Sequence, residues 1–381
     1  MNDTNVNFTS NRKLATIQSV AELRPIPGAD RIEVCRLENL EWECVVKKGD
    51  FKIGDTVVYI EIDSRVPERE EFEFLRERKF RVKTIKLRKQ VSEGLVMPIS
   101  IIPNNTFLVG TDVTEILGIT NYVKEVENAE EGNNANVKTK MPKWLMDKRW
   151  FRWVYFKLNP NDKSRFPSWI TKTDEDRIQI CARLLMEHYN EEWEITEKLD
   201  GTSGTFFSYM KKKWGIPRKT FSVASRNIWL KTKNGSKYWQ VAEKLGMQKL
   251  FFSHDGVNIV LQGEILGPGI QKNKYNLAEI DLYAFNLIIN GEKKSFNQMQ
   301  WFCDGIYITT VPLICGSFIP SKEIGEGKPT HVAAQWMIEY SKGKSKLSNR
   351  NREGIVCRLK SNPSISFKVV NPDFALETDN E

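Results

Sequence analysis

Histidine and cysteine are the first shortages. The 381 residues hold only three histidines and six cysteines. The cysteines, at 35, 44, 181, 303, 315 and 357, show no paired metal-ligand spacing, and the histidines do not cluster. No zinc site is expected, and the pattern reads as reduced thiols in an intracellular protein. Long apolar runs are also missing. None approaches the ~18 residues that a membrane span requires. The opening MNDTNVNFTSNRK is polar, so neither a secretion signal nor a membrane partner is expected.

What is present suits a folded chain of two or three domains. Hydrophobic residues make up 40% and aromatics 11%, enough for packed cores. Net charge is +8, from 57 Lys and Arg against 49 Asp and Glu. Such a balance favours a polyanionic partner, because each neutralised phosphate releases counterions. Many soluble proteins are equally basic, so charge alone does not name the partner.

Residues 10–123 read as a β-rich domain. LATIQSVAEL, RIEVCRL, WECVVKK, DTVVYIEI, FRVKTIKL and GLVMPISII are short, rich in β-branched residues and separated by turns such as PIPGAD. Strands at this spacing predict a closed, OB-like barrel of about 100 residues. Within it, eight of the fourteen residues 76–89 are Lys or Arg. Phe80, Val82, Ile85 and Leu87 interleave with Arg81, Lys83, Lys86 and Arg88, so one face can enter a core while the other presents cations. The run reads as an RNA backbone track or as a charge-blocked edge strand. Residues 1–9 read as a disordered tail and KEVENAEEGNNANVKTK (124–140) as a linker. WLMDKRWFRWVYF (144–156) is too apolar for a free linker; core packing and an RNA-stacking surface are both open.

Residues 141–381 mix helices and strands, an α+β domain with antiparallel sheets. TDEDRIQICARLLMEHY (173–189) predicts a helix capped at Thr173 or Asp174, and PTHVAAQWMIEYSKG (329–343) a second ended by Gly343. Strands are expected at TFFSYM, FSVASR, VNIVLQGEIL, IDLYAFNLII, EGIVCRL and ISFKVVN.

One stretch organises this domain. The strand-like EWEIT runs into Glu197, Lys198, Leu199, Asp200 and Gly201. K-x-D-G by itself is often only a surface turn. Its company downstream changes the reading. VASRN (223–227) ends a strand, and LQGEILGPGIQ (261–271) puts Glu264 before a glycine-rich bend. LYAFNL places Phe285 in an apolar strand, REGIVCR places Glu353 before a glycine, and SFKVVN sets Lys368 inside an apolar strand. Isolated charges on such strands are costly unless paired or liganded.

In this order the segments resemble motifs I, Ia, III, IV and V of the covalent nucleotidyltransferases: DNA ligases, RNA ligases and mRNA capping enzymes. The chain is most similar to ATP-dependent RNA ligases of the Naegleria type, with an N-terminal OB domain and a C-terminal nucleotidyltransferase domain. FPSWITKTDEDRIQ (166–179) and IKLRKQVSEGLVMPI (85–99) extend the likeness. The resemblance implies that Lys198 is the nucleophile that carries AMP. It implies that Glu197 helps read adenine and Phe285 stacks on it. Asp200, Glu264 and Glu353 would hold a hydrated Mg²⁺ or Mn²⁺, and Lys368 would touch the α-phosphate. Arg177, Arg226 and Asn227 would line the ribose and phosphates of ATP. Ser366 stands where related ligases often carry a further lysine, which leaves the source of a second phosphate contact open.

The chemistry accords with these roles. At its ordinary pKa a lysine is neutral in only about 0.04% of molecules at pH 7. A nearby Asp200 carboxylate would hold Lys198 charged. A divalent cation between them reverses that field. The expected function is joining of 3′-hydroxyl and 5′-phosphate RNA ends by a monomeric, ATP-dependent ligase, in nick sealing or RNA repair. A DNA ligase, a GTP-dependent capping enzyme and an RNA-binding protein with a decayed site are the alternatives. In the first two the OB domain normally follows the catalytic domain.

Overall fold

The structure is a computed structural model. It describes residues 13–380 apart from 39, 103–106, 123–162, 174, 214–215, 232, 234 and 255. The expected tail, the linker and the segment 144–156 lie outside the described residues.

The N-terminal domain is built on one long strand. Ala15–Pro25 pairs through residues 15–19 with Thr56–Ile60, then through residues 20–25 with Ile32–Leu37. A register shift between Val20 and Glu22 bends the strand between its two partners, as bulges do when a sheet coils. Glu43–Lys47 and Leu95–Pro98 complete a five-stranded antiparallel sheet. Its inward residues, among them Ile17, Leu37, Val57 and Tyr59, form one core with Trp42 and with Phe72 of the short helix Glu70–Arg78. This is the barrel-like sheet that the strand spacing predicts.

The basic run does not form the single strand expected of it. Phe80 and Val82 enter the core, but the first paired segment is only Arg81–Val82. Ile85–Leu87 then turns back on Gln90–Ser92 through Arg88 and Lys89, both with positive φ. That two-residue turn matches the right-handed twist of a hairpin. It leaves Lys86, Arg88 and Lys89 exposed.

The C-terminal domain has two mainly antiparallel sheets. The larger runs Lys163–Arg165, Ile228–Leu230, Ile216–Ala224, Thr202–Lys213, Ile259–Leu266, Asp281–Ile289 and Glu292–Lys293. The smaller runs Asp176–Arg177, Ser366–Val370, Gly354–Leu359, Trp193–Lys198 and Leu313–Phe318. Period-two alternation sorts the smaller sheet. Trp193, Ile195, Ile355, Cys357, Phe367 and Val369 pack against the helices Ile178–Glu187 and Thr330–Ser341. The alternate positions, Glu194, Thr196, Lys198, Arg358 and Lys368, therefore share the opposite face. Helices Lys237–Lys244, Met247–Phe252 and Phe296–Asp304 cover one face of the larger sheet.

The first helix begins later than its sequence suggests. Asp176 and Arg177 pair in parallel with Phe367 and Lys368, so the helix starts at Ile178 with an extended Arg177 before it. Thr173 does not cap the helix; its hydroxyl bonds Ser203 at 2.9 Å. Asp174 lies outside the described residues. Strand pairing across the domain overrides the local capping signal. All six cysteines are free thiols. Among the described residues, no helix is long and apolar enough to cross a membrane.

Candidate active site

Two glycines bring the charged groups together. The strand Trp193–Lys198 ends at Lys198 and the next strand begins at Thr202. A Cβ on Gly201 between them would sit 2.4 Å from the Ile265 carbonyl oxygen. Only a bare backbone lets the turn lie this close to the Glu264 strand, and the Gly201 amide donates to Glu264 Oε1 at 3.1 Å. On the other side Lys198 pairs with Gly354, whose Cβ would lie 2.1 Å from the Val369 carbonyl oxygen. With no side chain at 354, Lys198 reaches Glu353, and its Nζ donates to Oε1 at 2.6 Å.

Four of the expected residues thus meet: Lys198, Asp200, Glu264 and Glu353. Burial alone would pull the Lys198 ammonium down, but Glu353, Glu264 and Asp200 outweigh it and hold its pKa above the ordinary value. Burial pushes the Glu264 carboxyl up to about 8, with Glu353 and Asp200 adding to the shift and Lys198 opposing it. Burial also raises Glu353, against the pull of Lys198. By itself, then, the protein keeps the lysine protonated, and the neutral amine needs a further positive charge.

The donors fit a hard divalent cation. Carboxylate oxygens suit Mg²⁺ and Mn²⁺, and Glu353 Oε2 is buried with no hydrogen-bond partner. Among the described residues no three His, Cys, Asp or Glu side chains converge closely enough to hold an ion directly. An ion here would therefore reach part of the set through water.

The shift at Glu264 has a measurable consequence. Folding binds a proton at this group between the ordinary carboxyl value of 4.5 and about 8, so its contribution to stability falls as pH rises through that window. Glu264→Gln, neutral throughout and able to accept from Gly201, is expected to melt about 3 °C higher than the parent at pH 8 in chelator. The difference should vanish near pH 4.5. Melting curves at both pH values check this.

The other expected residues are placed more variously. Lys368 lies on the Lys198 face, in the row Thr196–Val356–Lys368, and its charge pulls the Glu353 pKa down. Glu197 is buried, with one oxygen accepting from the Lys346 amide at 2.8 Å and the other unpartnered. It alternates away from Lys198 along the strand. Phe285 is half-buried beside the register shift at Gln262–Gly263 and packs on the larger core. Arg226 and Asn227 stand on an exposed turn, where the Asn227 Oδ1 accepts from Lys172 at 3.5 Å.

Arg177 is turned to the N-terminal domain. Its guanidinium donates to Asp63 at 3.0 Å and lies 5.7 Å from the Trp42 ring. Asp63 also accepts from Arg81 at 2.9 Å, and Arg81 lies over Tyr122 at 4.3 Å. Gln179 continues the joint, donating to Glu93 at 3.3 Å and accepting from the Glu41 amide at 2.9 Å. Arg177 and Arg81 thus help dock the two domains; Arg81 is not presented like Lys86 and Arg88.

Sequence reasoning missed three residues. Lys274 bonds Asp200, and Tyr275 Oη accepts from the Asp200 amide at 2.8 Å. Their sequence trace is slight: K-Y follows the glycine-rich bend after Glu264. The third is Arg358. Ser366, where a lysine was expected, pairs with it. That row already carries the Arg358 guanidinium, which donates to Thr196 Oγ1 at 3.0 Å and meets Glu175 at 3.5 Å.

Known proteins match this fold. Residues 14–99 match an OB-fold domain model and residues 191–370 the RNA ligase family model. The structure of Naegleria gruberi RNA ligase with PPi is 28% identical, with TM-score 0.75, covering 97% of this chain and 100% of that one. A variant of that ligase with ATP and Mn gives the same values. An apo variant is 27% identical, also at TM-score 0.75, covering 97% and 99%. No curated protein sequence matches the chain. The fold is that of an OB domain followed by a nucleotidyltransferase domain of the RNA ligase class. Within that class the chain has the architecture of the ATP-dependent RNA ligases of the Naegleria type.

Proposed function

We infer that this chain joins RNA ends at the expense of ATP, with Lys198 carrying AMP. One observation carries the reading. Lys198 Nζ lies 2.6 Å from the half-buried Glu353 and under the field of Glu264 and Asp200, in a chain matched over 97% of its length by a ligase variant solved with ATP and Mn.

In the first step Lys198 Nζ, once deprotonated, attacks the α-phosphorus of ATP. An N–P bond forms, the bond to the bridging oxygen breaks and pyrophosphate leaves. Asp200, Glu264 and Glu353 would hold a divalent cation, which when bound favours the neutral amine and offsets charge building on the phosphate. Lys368 steadies the α-phosphate oxygens. Phe285 offers a ring face to adenine, and Glu197 helps shape that end of the pocket. We keep Arg226 and Asn227 as ribose and phosphate contacts that their exposed turn would deliver on binding. Arg177 instead fixes the OB domain beside Lys368.

AMP then passes to a 5′-phosphate end, breaking the N–P bond. A 3′-hydroxyl attacks the activated phosphate, forming the phosphodiester and releasing AMP. Lys83, Lys86 and Arg88 would track the RNA backbone. One chain holds every group invoked, so we propose that it works as a monomer on nicked duplexes.

Nicked duplexes with RNA or DNA on the 3′-hydroxyl side test the substrate class. Sealing is expected to be at least about tenfold faster with RNA there, since only RNA offers a 2′-hydroxyl to read. Equal rates on both would favour a DNA ligase, and AMP-free turnover or GTP preference would remove the reading.

A further inference from the structure

One loop grips Asp200 twice. The chain leaves the strand Ile259–Leu266, winds through residues 267–277 and enters the strand Asp281–Ile289. Gln271, Lys272, Asn273 and Asn276 all have left-handed backbones there, a conformation that L residues adopt at a cost. The Asn273 side chain closes the loop, donating to the Leu277 carbonyl at 2.9 Å and accepting from its amide at 3.1 Å. So wound, the loop presents two neighbours to one target. Tyr275 Oη accepts from the Asp200 backbone amide, and Lys274 Nζ bonds the Asp200 carboxylate.

Lys274 is only 9% exposed. Its Nζ also lies 4.9 Å from the ring centroid of Phe374 on the C-terminal helix, the distance of a cation–π contact. The ammonium is thus held between a carboxylate and a ring face, largely out of water. Two ammoniums therefore stand among three carboxylates: Lys198 on Glu353 and Lys274 on Asp200. Lys198 has a chemical task that requires it to lose its proton. Lys274 has none in the steps above.

We propose that Lys274 is a positioning residue that holds the Asp200 carboxylate in the cation-free protein and competes with the divalent cation for it. The proposal rests on the ligase reading only in taking Asp200, Glu264 and Glu353 as the cation's site. A positive charge so close to Asp200 repels an arriving ion and occupies one of its donors. It also keeps Asp200 aimed while no ion is there. Lys274 would thereby set the metal concentration at which the lysine can be adenylated.

Titration of the full-length protein with Mn²⁺ alone, followed by the electron paramagnetic resonance signal of the free ion, reads the competition without ATP or turnover. Lys274→Met keeps the length and the apolar stem beside Phe374 and removes the charge; Lys274→Gln serves if it precipitates. Removing the charge is expected to tighten Mn²⁺ binding on the order of tenfold, while Lys274→Arg stays within about twofold of the parent. In an Asp200→Asn background the same change should have no effect. Unchanged or weaker binding in the uncharged variant, including no binding by either protein, overturns the proposal. A parent protein that binds Mn²⁺ but never forms a lysine-AMP adduct would sink the ligase reading instead.

Discussion

Lys198→Ala is expected to abolish transfer of label from α-labelled ATP to the protein, a loss of at least about a thousandfold. The Lys198 Nζ donates to Glu353 Oε1 at 2.6 Å. On the proposed mechanism its replacement removes the bond-forming atom itself, whereas loss of a proposed phosphate contact such as Lys368 leaves a slower reaction. The fold should survive, because Lys198 lies at a strand end and its side chain is partly exposed. Melting temperature and label transfer measured on one preparation separate the two. Retained protein-bound AMP at normal stability would assign the nucleophile elsewhere.

Gly354→Ala is expected to be the most damaging small substitution. The added Cβ would lie 2.1 Å from the Val369 carbonyl oxygen and 3.0 Å from the Val370 Cα. Both are backbone, so no flexible side chain can give way. Gly354 also has φ of 156°, which L side chains rarely adopt. The strand Gly354–Leu359 must then move away from Ser366–Val370 or from Trp193–Lys198, all within one buried sheet. A stability loss on the order of 3 kcal/mol or more is expected. Glu353 would leave its place beside Lys198, so adenylation should fall with it. Denaturant unfolding checks the first effect and label transfer the second; a variant with parental stability would contradict the packing described here.

Much of this was legible before any coordinates. The barrel strands were readable because β-branched alternation and turns are local signals. Lys198, Glu264, Glu353 and Lys368 stood out because a charge isolated in an apolar strand needs a reason, and the structure sets Lys198, Glu264 and Glu353 together with Lys368 on the same sheet face. The failures share a different cause. The helix at 173 starts late because Asp176 and Arg177 pair with a strand nearly two hundred residues away, which no capping signal reveals. Arg177 and Arg81 carry the right charge for phosphate, but Asp63, 114 residues from the first and 18 from the second, bonds both. Lys274 bonds Asp200 across 74 residues. Its loop reads as ordinary turn chemistry until the left-handed backbones at 271–273 bring it round. Pattern within a segment gives element type; which segment closes on which charge is decided by packing between segments.

Those charges matter because of one conflict. The carboxylates around Lys198 hold it protonated, while attack on phosphorus needs the free amine. A divalent cation resolves the conflict, and its absence should leave the amine inert. Peptide mapping of the full-length protein after incubation with ATP, with Mn²⁺ or with chelator, measures this directly. AMP is predicted on the single peptide that contains Lys198, and only when the cation is present. AMP bonded to any other side chain, or on Lys198 equally well in chelator, would contradict it.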